Sequence, residues 1–235
     1  MDTRAGPDST QRLLYGRRRG RRLRPGQRDL LATLLPELSI DLPERGSLDP
    51  RSLFSAAPAE LWLEIGFGAG EHLAEQATAH PDIGFLGAEV FENGVVKLLA
   101  EVRRRDLANV RILVDDARLL LAALPDACLG RVFILFPDPW PKQRHHKRRI
   151  VSPLALQQIA RTMKDRAELR LATDDPGYLR AMLELVPVHP AFAWRAQGPS
   201  DWLQRSPDWP ATRYEAKAVA AGRIPHFLRF TRRPR

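Results

Sequence analysis

The sequence predicts an α/β fold in which a mostly parallel β-sheet is covered by helices on both faces. From residue 60 onwards, short apolar runs alternate with amphipathic segments, a pattern typical of βαβ units. A glycine-rich turn follows the first apolar run and opens a helix, as in open α/β sheets that bind ligands. With 235 residues, 44% of them hydrophobic, the chain can bury one sizeable core and still carry an additional arm.

The strands are predicted where apolar runs are bounded by turn residues. They cover residues 60–65, 83–90, 110–114, 131–136 and 168–172, and weaker signals mark 191–196 and 226–231. The run at 131–136 is apolar almost throughout, which indicates a central strand that is buried on both faces.

The helices between these strands are recognised by an apolar stripe or by a start signal. In segment 94–105 the stripe consists of Val95, Leu98, Leu99 and Val102. Ser152-Pro153 and Asp175-Pro176 each combine a capping side chain with a proline in the first turn, and Pro187 ends the second of these helices. Further helices are predicted at 28–38, 70–79 and 117–124.

The N-terminal region has a different composition. Residues 1–11 lack periodicity and are expected to be disordered, and residues 12–27 form a basic arm. Residues 39–58 contain scattered prolines and are predicted to be a connector. We therefore divide the chain into a flexible basic arm with its connector, residues 1–58, and a folded domain, residues 59–235.

The positive charge of the chain is concentrated in two segments. The net charge is +9, but residues 12–28 contain eight arginines and no acid, and residues 142–149 contain five more cations. The remainder of the chain is therefore mildly acidic. Clustering of this kind favours a polyanionic partner over a merely arginine-rich, solvated surface.

Several classes of protein fit the composition poorly. The N-terminus has no apolar signal segment, and no apolar run is long enough to span a membrane. The single cysteine, Cys128, permits no internal disulfide, which fits a reducing compartment. No Cys/His spacing suggests a zinc site. We expect a cytoplasmic protein that uses no metal and does not associate with membranes.

The glycine-rich turn is the first candidate site. The run 61–70 is an apolar strand that leads into Gly66, Gly68 and Gly70, which allow a sharp turn and a close approach of the backbone to a ligand. Glu64 precedes the turn, and a carboxylate there suits a cationic group, such as the amino group of S-adenosylmethionine, better than a pyrophosphate.

Acids also follow the next two predicted strands. Glu89 lies where a carboxylate binds the two hydroxyls of a ribose, and Asp116, in Asp115-Asp116-Ala117, can meet an adenine amino group. Each acid alone could be a solvated strand end. Three acids at the carboxyl ends of successive strands, beside a glycine turn, favour a cofactor site.

The segment Phe136-Pro137-Asp138-Pro139-Trp140-Pro141-Lys142 is the most informative in the chain. The prolines restrict the backbone on both sides of Asp138, so that its carboxylate is held at the end of the central strand. The cationic loop 142–149 follows immediately, which suits a nucleic-acid backbone. Trp140 could stack on a base or pack under the loop, and both interpretations remain open.

These motifs together resemble the bacterial tRNA (guanine-N7)-methyltransferase family. The glycine turn, the proline-flanked acid, Lys147-Arg148-Arg149, Ala172-Thr173-Asp174 and Thr212-Arg213-Tyr214-Glu215 occur in the family's order. The resemblance implies a Rossmann-like class I methyltransferase fold with a seven-stranded sheet, and S-adenosyl-L-methionine as the methyl donor. It also implies tRNA as the substrate, with the variable-loop guanine at tRNA position 46 as the target.

The resemblance assigns roles residue by residue. It implies that Asp138 is catalytic and that it contacts the cofactor together with Glu64, Glu89 and Asp116. The positions that match tRNA contacts are Lys142, Arg144, His145, His146, Lys147, Arg148, Arg149, Asp174, Thr212, Arg213, Tyr214 and Glu215. Two departures, Asp175 in place of a frequent aromatic residue and Lys164-Asp165-Arg166 in place of a Gly-Gly turn, concern the rim of the substrate site.

Two other functions remain as alternatives. An acid-proline-aromatic segment can also serve methylation of an exocyclic amino group, although that chemistry expects two consecutive prolines after the acid. A non-catalytic RNA-binding protein on a methyltransferase scaffold is the second alternative. The sequence indicates no obligate protein partner, and either a monomer or a homodimer is compatible with it.

Overall fold

The computed structural model describes residues 18–235, which build a seven-stranded sheet. The strands are β1 Glu60–Ile65, β2 Ile83–Ala88, β3 Val110–Leu113, β4 Leu129–Leu135, β5 Met163–Thr173, β6 Phe192–Trp194 and β7 His226–Arg232. Their order in the sheet is β3-β2-β1-β4-β5-β7-β6. The first five are parallel, whereas β7 is antiparallel to β5 and to β6. The expected seven-stranded, mostly parallel sheet is confirmed.

Helices cover both faces of the sheet, as the sequence predicts. They are α1 Pro25–Thr33, α2 Leu35–Leu38, α3 Glu71–Ala79, α4 Glu92–Arg105, α5 Ala117–Ala123, α6 Pro153–Thr162, α7 Pro176–Leu185, α8 Ser200–Leu203 and α9 Arg213–Ala220. One face of the sheet packs against α1, α3 and α4, and the other packs against α5, α6 and α7. The helix starts at Ser152 and Asp175 are confirmed, since both side chains accept a hydrogen bond from the first turn.

The N-terminal segment contributes to this core from Leu30 onwards. Leu30 and Leu38 are buried, and Ile40 donates its N–H to the Ile112 carbonyl at 2.9 Å beside β3. The helix predicted at 28–38 is in fact two helices, because the chain bends at Leu34 and Pro36 can stand only in the first turn of α2. The predicted disorder of residues 1–11 lies outside the described residues, and the division of the chain at residue 58 stays a prediction.

The sequence does not predict helices α8 and α9, and it predicts a β5 that is too short. Strand β5 begins at Met163 rather than at residue 168, because Met163 pairs with Leu129 of β4 ahead of a register irregularity, after which Glu168 pairs with Arg131. The unpredicted helix α9 begins at Thr212, whose hydroxyl accepts from the Glu215 N–H at 3.2 Å. The Thr212–Glu215 spacing is that of a capping box, so the sequence contained a signal for this helix.

The order of the strands determines where a ligand can bind. Strand β1 lies between β2 and β4, and the chain runs outwards in opposite directions on either side of it. Ligands of open α/β sheets bind at the carboxyl ends of the strands at such a point. The glycine turn follows β1 and the Asp138 segment follows β4, which are paired strands, as expected from the sequence.

Candidate active site

A cavity of about 350 Å³ opens at the carboxyl ends of β1 to β4. This volume lies within the range of sites that bind cofactors and other small molecules. Of the predicted site residues that the structure describes, the cavity is lined by Gly66, Gly68, Glu89, Asp116, Asp138, Arg148 and Tyr214, whereas Glu64 and Gly70 lie outside its wall. Residues from two separately predicted groups, the cofactor set and the tRNA set, therefore meet in one space.

The backbone of the glycine turn forms the floor of the cavity. Gly66 and Gly68 have φ values of 72° and 57°, a region that side chains disfavour. A Cβ at Gly94, in the first turn of α4, would overlap the carbonyl oxygen of Gly68. Helix α4 therefore packs directly against the turn, and Gly94 helps to form the site although no motif in the sequence singles it out.

Glu64 has a partner inside the protein. Its side chain is 5% exposed, and its carboxylate lies 2.7 Å from Nδ1 of His72 on α3, which is 2% exposed. The His72 ring packs edge-on against Phe133. This arrangement differs from the predicted contact with a cofactor amino group, because the carboxylate connects β1 to α3 instead of facing the cavity.

Glu89 is held by the backbone on three sides. Its carboxylate accepts hydrogen bonds from the N–H groups of Gly68, Val90 and Phe91 at 2.7 to 2.9 Å. Burial raises the pKa of this carboxyl group, against the opposing effect of those N–H donors, and the negative charge of Asp138 adds to the rise. The two acids are thus close enough to influence each other across the cavity.

Cofactor affinity is expected to decrease on acidification. The decrease should begin at a higher pH than it would if Glu89 were an exposed glutamate with an ordinary pKa. An ionised Glu89 can accept hydrogen bonds from ribose hydroxyls, and its protonation removes an acceptor. Because its pKa is raised, the loss of affinity should begin at a pH above 4.5, the ordinary pKa of a glutamate. The free energy of unfolding depends on pH in the opposite direction. The protonated Glu89 carboxyl group stabilises the fold below pH 4.5, and this contribution is lost as the pH rises through the raised pKa.

Calorimetric titration of S-adenosylhomocysteine between about pH 4.5 and 7.5 measures this dependence, within the range where carboxyl groups of raised pKa titrate. Glu89→Gln should weaken binding and remove the pH dependence, whereas Glu75→Gln, at an exposed position on α3, should leave both unchanged. A pH dependence that persists in Glu89→Gln would assign the titration to another group.

Asp116 starts helix α5 and is paired with a neighbouring cation. Its carboxylate accepts from the Arg118 N–H at 2.9 Å and from the Arg118 guanidinium at 2.8 Å. The cap explains why an acid stands here even without a ligand. Asp115 and Arg118 also line the cavity, and neither was predicted as a site residue.

The Asp138 segment has an unusual backbone. Phe136 and Trp140 have φ values of 49° and 45°, and each directly precedes a proline. Such conformations cost energy and persist only where the surrounding structure enforces them, which is typical of functional sites. The side chain of Asp138 is exposed at the cavity wall. Trp140 is half-buried there, with the Arg148 guanidinium 5.0 Å from its ring centroid and the His145 ring at 6.2 Å.

The cationic loop divides into outward and inward side chains. Residues Gln143–Arg148 form a 3₁₀ helix on which Arg144, His146 and Lys147 are exposed, as is Lys142 before it. Arg148 is half-buried and His145 is partly covered. Arg149 is buried; its Nε donates to the Pro139 carbonyl at 2.9 Å, and its guanidinium lies 4.7 Å from the centre of the Tyr178 ring.

The position of Arg149 differs from the predicted tRNA contact. An arginine that is only 7% exposed offers little surface to a phosphate. Its bond to Pro139 instead ties the loop to the backbone next to Asp138. We therefore interpret Arg149 as a residue that positions the Asp138 segment.

The segment 212–215 closes over the glycine turn. The Tyr214 ring lies against Gly68, about 3.0 Å from where a Cβ would stand, and Arg213 pairs with Glu71 at 3.3 Å. Thr212 is buried as the cap of α9, and Glu215 pairs with Arg205 at 3.1 Å. Asp174, at the end of β5, accepts from Arg223 at 2.6 Å. Of this set, Tyr214 alone lines the cavity.

The described part of the basic arm lies beside the cavity wall. The arginines of segment 18–28 are exposed: Arg18, Arg19, Arg21, Arg22, Arg24 and Arg28. The Arg18 carbonyl accepts from the Glu92 N–H at 2.9 Å, and Gly20 donates to the Asn93 side chain. Since Phe91 lines the cavity, the arm is attached immediately next to it. Arg12 and Arg17 lie outside the described residues.

Neither a metal-binding cluster nor a membrane-spanning helix is found in residues 18–235. That part of the chain contains no group of three or more His, Cys, Asp or Glu side chains arranged to hold a metal ion. None of its helices combines the length and the apolar character that crossing a membrane would require.

Comparison with known proteins identifies the family. A family model described as "Putative methyltransferase" matches residues 58–227. The tRNA (guanine-N(7)-)-methyltransferase of Rhodospirillum rubrum is 53% identical over 224 residues, which cover 94% of this chain and 88% of the relative. That of Ruegeria sp. (strain TM1040) is 47% identical over 227 residues, with the same coverage of 94% and 88%.

A solved structure shares the fold. The 16S rRNA (adenine(1408)-N(1))-methyltransferase from Catenulisporales acidiphilia superposes with a TM-score of 0.51 at 13% identity, covering 83% of this chain and 98% of that one. The expected class I methyltransferase fold is confirmed by this likeness, and the two close relatives add the sequence evidence. The chain belongs to the tRNA (guanine-N7)-methyltransferase family.

Proposed function

We propose that this protein transfers a methyl group from S-adenosylmethionine to N7 of a guanine in tRNA, and that the guanine is the one at position 46 of the variable loop. The observation that carries the proposal is the position of Asp138. Its carboxylate stands at the wall of an acid-lined cavity, in the segment that follows β4, the strand paired with β1 and its glycine turn, and shortly before an exposed cationic loop. The names of the close relatives support both the reaction and the substrate.

The residues of the cavity suit S-adenosylmethionine. Asp116, Glu89 and the glycine turn follow the adjacent strands β3, β2 and β1, so an extended ligand can lie along the strand ends with adenine, ribose and amino acid in that order. Glu89 is preorganised by three N–H groups for the ribose hydroxyls. When bound, the cofactor supplies an electrophilic methyl group on a positively charged sulfur.

Methyl transfer to guanine N7 depends on the positioning of the two reactants more than on proton transfer. Guanine N7 has an in-plane lone pair and no proton, so the attack needs no obligatory general base. Asp138 can accept hydrogen bonds from guanine N1–H and from the N2 amino group, a pattern that adenine cannot offer. The purine becomes positively charged as the new bond forms, and the same carboxylate stabilises that charge. Proline-restricted backbone on either side holds the carboxylate before the substrate arrives.

The exposed cations of the loop are expected to contact tRNA phosphates. Arg144→Gln and Lys147→Gln should each weaken tRNA binding and reduce the slope of log affinity against log salt by about 1, because each releases roughly one counterion fewer. The matched variant Arg149→Gln should leave the slope unchanged and lower the melting temperature, since Arg149 is buried. Binding titrations at several salt concentrations measure the slopes. Equal slopes for all three variants would contradict the division between outward and inward cations.

The direct test of the function is methyl transfer to unmodified tRNA. Borohydride and aniline treatment cleaves RNA at N7-methylguanine, so cleavage at position 46, and its absence in a transcript that lacks the guanine there, would support the proposal. Product without such cleavage would indicate amino-group methylation. Binding of tRNA without affinity for S-adenosylhomocysteine would indicate a non-catalytic RNA-binding protein.

The setting of the reaction is also part of this proposal. A tRNA substrate is found in the cytoplasm, and we expect the protein to act there as a monomer or homodimer without an obligate partner. Sedimentation of the purified protein with and without tRNA tests the oligomeric state.

A further inference from the structure

The charges that line the cavity suit only part of the amino-acid end of the cofactor. Four acids line the cavity, namely Glu89, Asp115, Asp116 and Asp138. These acids suit the sulfonium and the ammonium groups of S-adenosylmethionine, but its α-carboxylate would be repelled by them. A cationic partner that faces the same cavity would offset this repulsion and stabilise a bound carboxylate.

Two arginines line the cavity, at opposite ends of the row of strands. Arg118 follows β3, and its guanidinium is engaged with Asp116 at 2.8 Å. This position corresponds to the adenine end of an extended cofactor. Arg148 belongs to the loop that follows β4, next to the glycine turn after β1. The amino-acid end of the cofactor is therefore nearer to Arg148.

The surroundings of Arg148 separate it from the other cations of its loop. Arg144 and Lys147 are exposed, whereas Arg148 is half-buried in the cavity wall. Its guanidinium lies 5.0 Å from the ring centroid of Trp140, which lines the same cavity. A guanidinium stacked on an indole is fixed in orientation and still directs N–H donors along its edge, a geometry that matches a carboxylate.

We propose that Arg148 binds the α-carboxylate of S-adenosylmethionine, so that one arginine of the cationic loop serves the cofactor and not the tRNA. The proposal rests on the proposed function, since it requires that cofactor. It implies that cofactor binding also secures the Asp138 segment, because Arg148 packs on Trp140, two residues after Asp138.

The test compares two ligands that differ only in this carboxylate. Calorimetry would measure the binding of S-adenosylmethionine and of decarboxylated S-adenosylmethionine to the full chain. The wild type should bind the complete cofactor roughly 10- to 100-fold more tightly, as expected for a charge-assisted hydrogen bond. Arg148→Gln should lose most of this preference while its affinity for the decarboxylated ligand stays within about twofold, and Arg148→Lys should retain part of the preference.

Arg144→Gln is the matched control, since it removes an exposed cation from the same loop, and it should keep the full preference for the carboxylate. The ratio of two affinities measured on one variant is insensitive to a general loss of folded protein. A preference that survives in Arg148→Gln, or a variant in which only tRNA affinity falls, would overturn the inference and leave the proposed function intact. Failure of the wild type to bind S-adenosylmethionine at all would instead contradict the proposed function, and this inference with it.

Discussion

Asp138→Ala is expected to lower kcat/KM for tRNA methylation by about 100-fold or more while the protein still binds tRNA. The side chain can accept two hydrogen bonds from the guanine, and bonds to a charged group contribute about 1.5 to 3 kcal/mol each. The loss should be kinetic, since the side chain is exposed in the cavity wall and its removal leaves no buried partner unpaired. Initial rates of methyl transfer together with tRNA binding titrations measure both quantities.

The control for this variant lies at the opposite end of the same strand. Asp126 precedes β4, and its side chain is 69% exposed and paired with Arg161, so Asp126→Asn should leave the rate unchanged. A tRNA that carries inosine at the target lacks the N2 amino group, so the wild type should methylate it more slowly than normal tRNA. Replacing Asp138 should reduce the rate on the inosine tRNA by a smaller factor than the rate on normal tRNA. Near wild-type turnover of Asp138→Ala, or full activity on inosine, would remove Asp138 from the proposed role.

Gly94→Ala is expected to destabilise the protein and to weaken cofactor binding together. In most helices this change is stabilising, because alanine has a helix propensity about 1 kcal/mol better than glycine. Here the new methyl group would meet the Gly68 carbonyl, so that α4 or the glycine turn must move. Overpacking of this kind typically costs about 1 to 3 kcal/mol. The Gly68 N–H also donates to Glu89, so a shifted turn should disturb this carboxylate, which we propose as the ribose acceptor.

Gly26→Ala provides the comparison, because Gly26 lies in the first turn of α1 with nothing within 4 Å of the position of a Cβ. This variant should be neutral or slightly stabilised and should bind S-adenosylhomocysteine like the wild type. Thermal unfolding with and without the ligand, followed by calorimetry, measures both effects. If Gly94→Ala melted like Gly26→Ala and kept its affinity, the close contact between α4 and the turn would have no role in the site.

Much of the fold could be predicted because the relevant signals are local. Strand β1 is found where its apolar run predicts it, and the helices after Ser152 and Asp175 begin at the predicted caps. The acids and glycines at the carboxyl ends of the strands could be selected for the same reason. A parallel sheet brings those ends to one edge whatever the details of packing.

The features that the sequence does not predict depend on an ambiguous helix signal or on contacts between distant parts of the chain. Helix α9 lacks a long apolar stripe, and the Thr212–Glu215 spacing that is typical of a helix start also matches a substrate motif of the family. The early start of β5 depends on its pairing with β4, and the burial of Leu30 and Leu38 depends on surfaces distant in sequence. None of these features follows from periodicity within one window.

The α/β class, the position of the glycine turn and the place of Asp138 between prolines can all be inferred from the amino-acid sequence, because each depends on residues that are neighbours in the chain. The directions in which the charged side chains face become visible only in the folded protein. The tertiary structure directs Glu64 towards His72, buries Arg149 against Tyr178 and lets Arg148 line the cavity. The physical reason is that burial and pairing of a charge are set by groups far away in sequence, which residue type and spacing do not reveal.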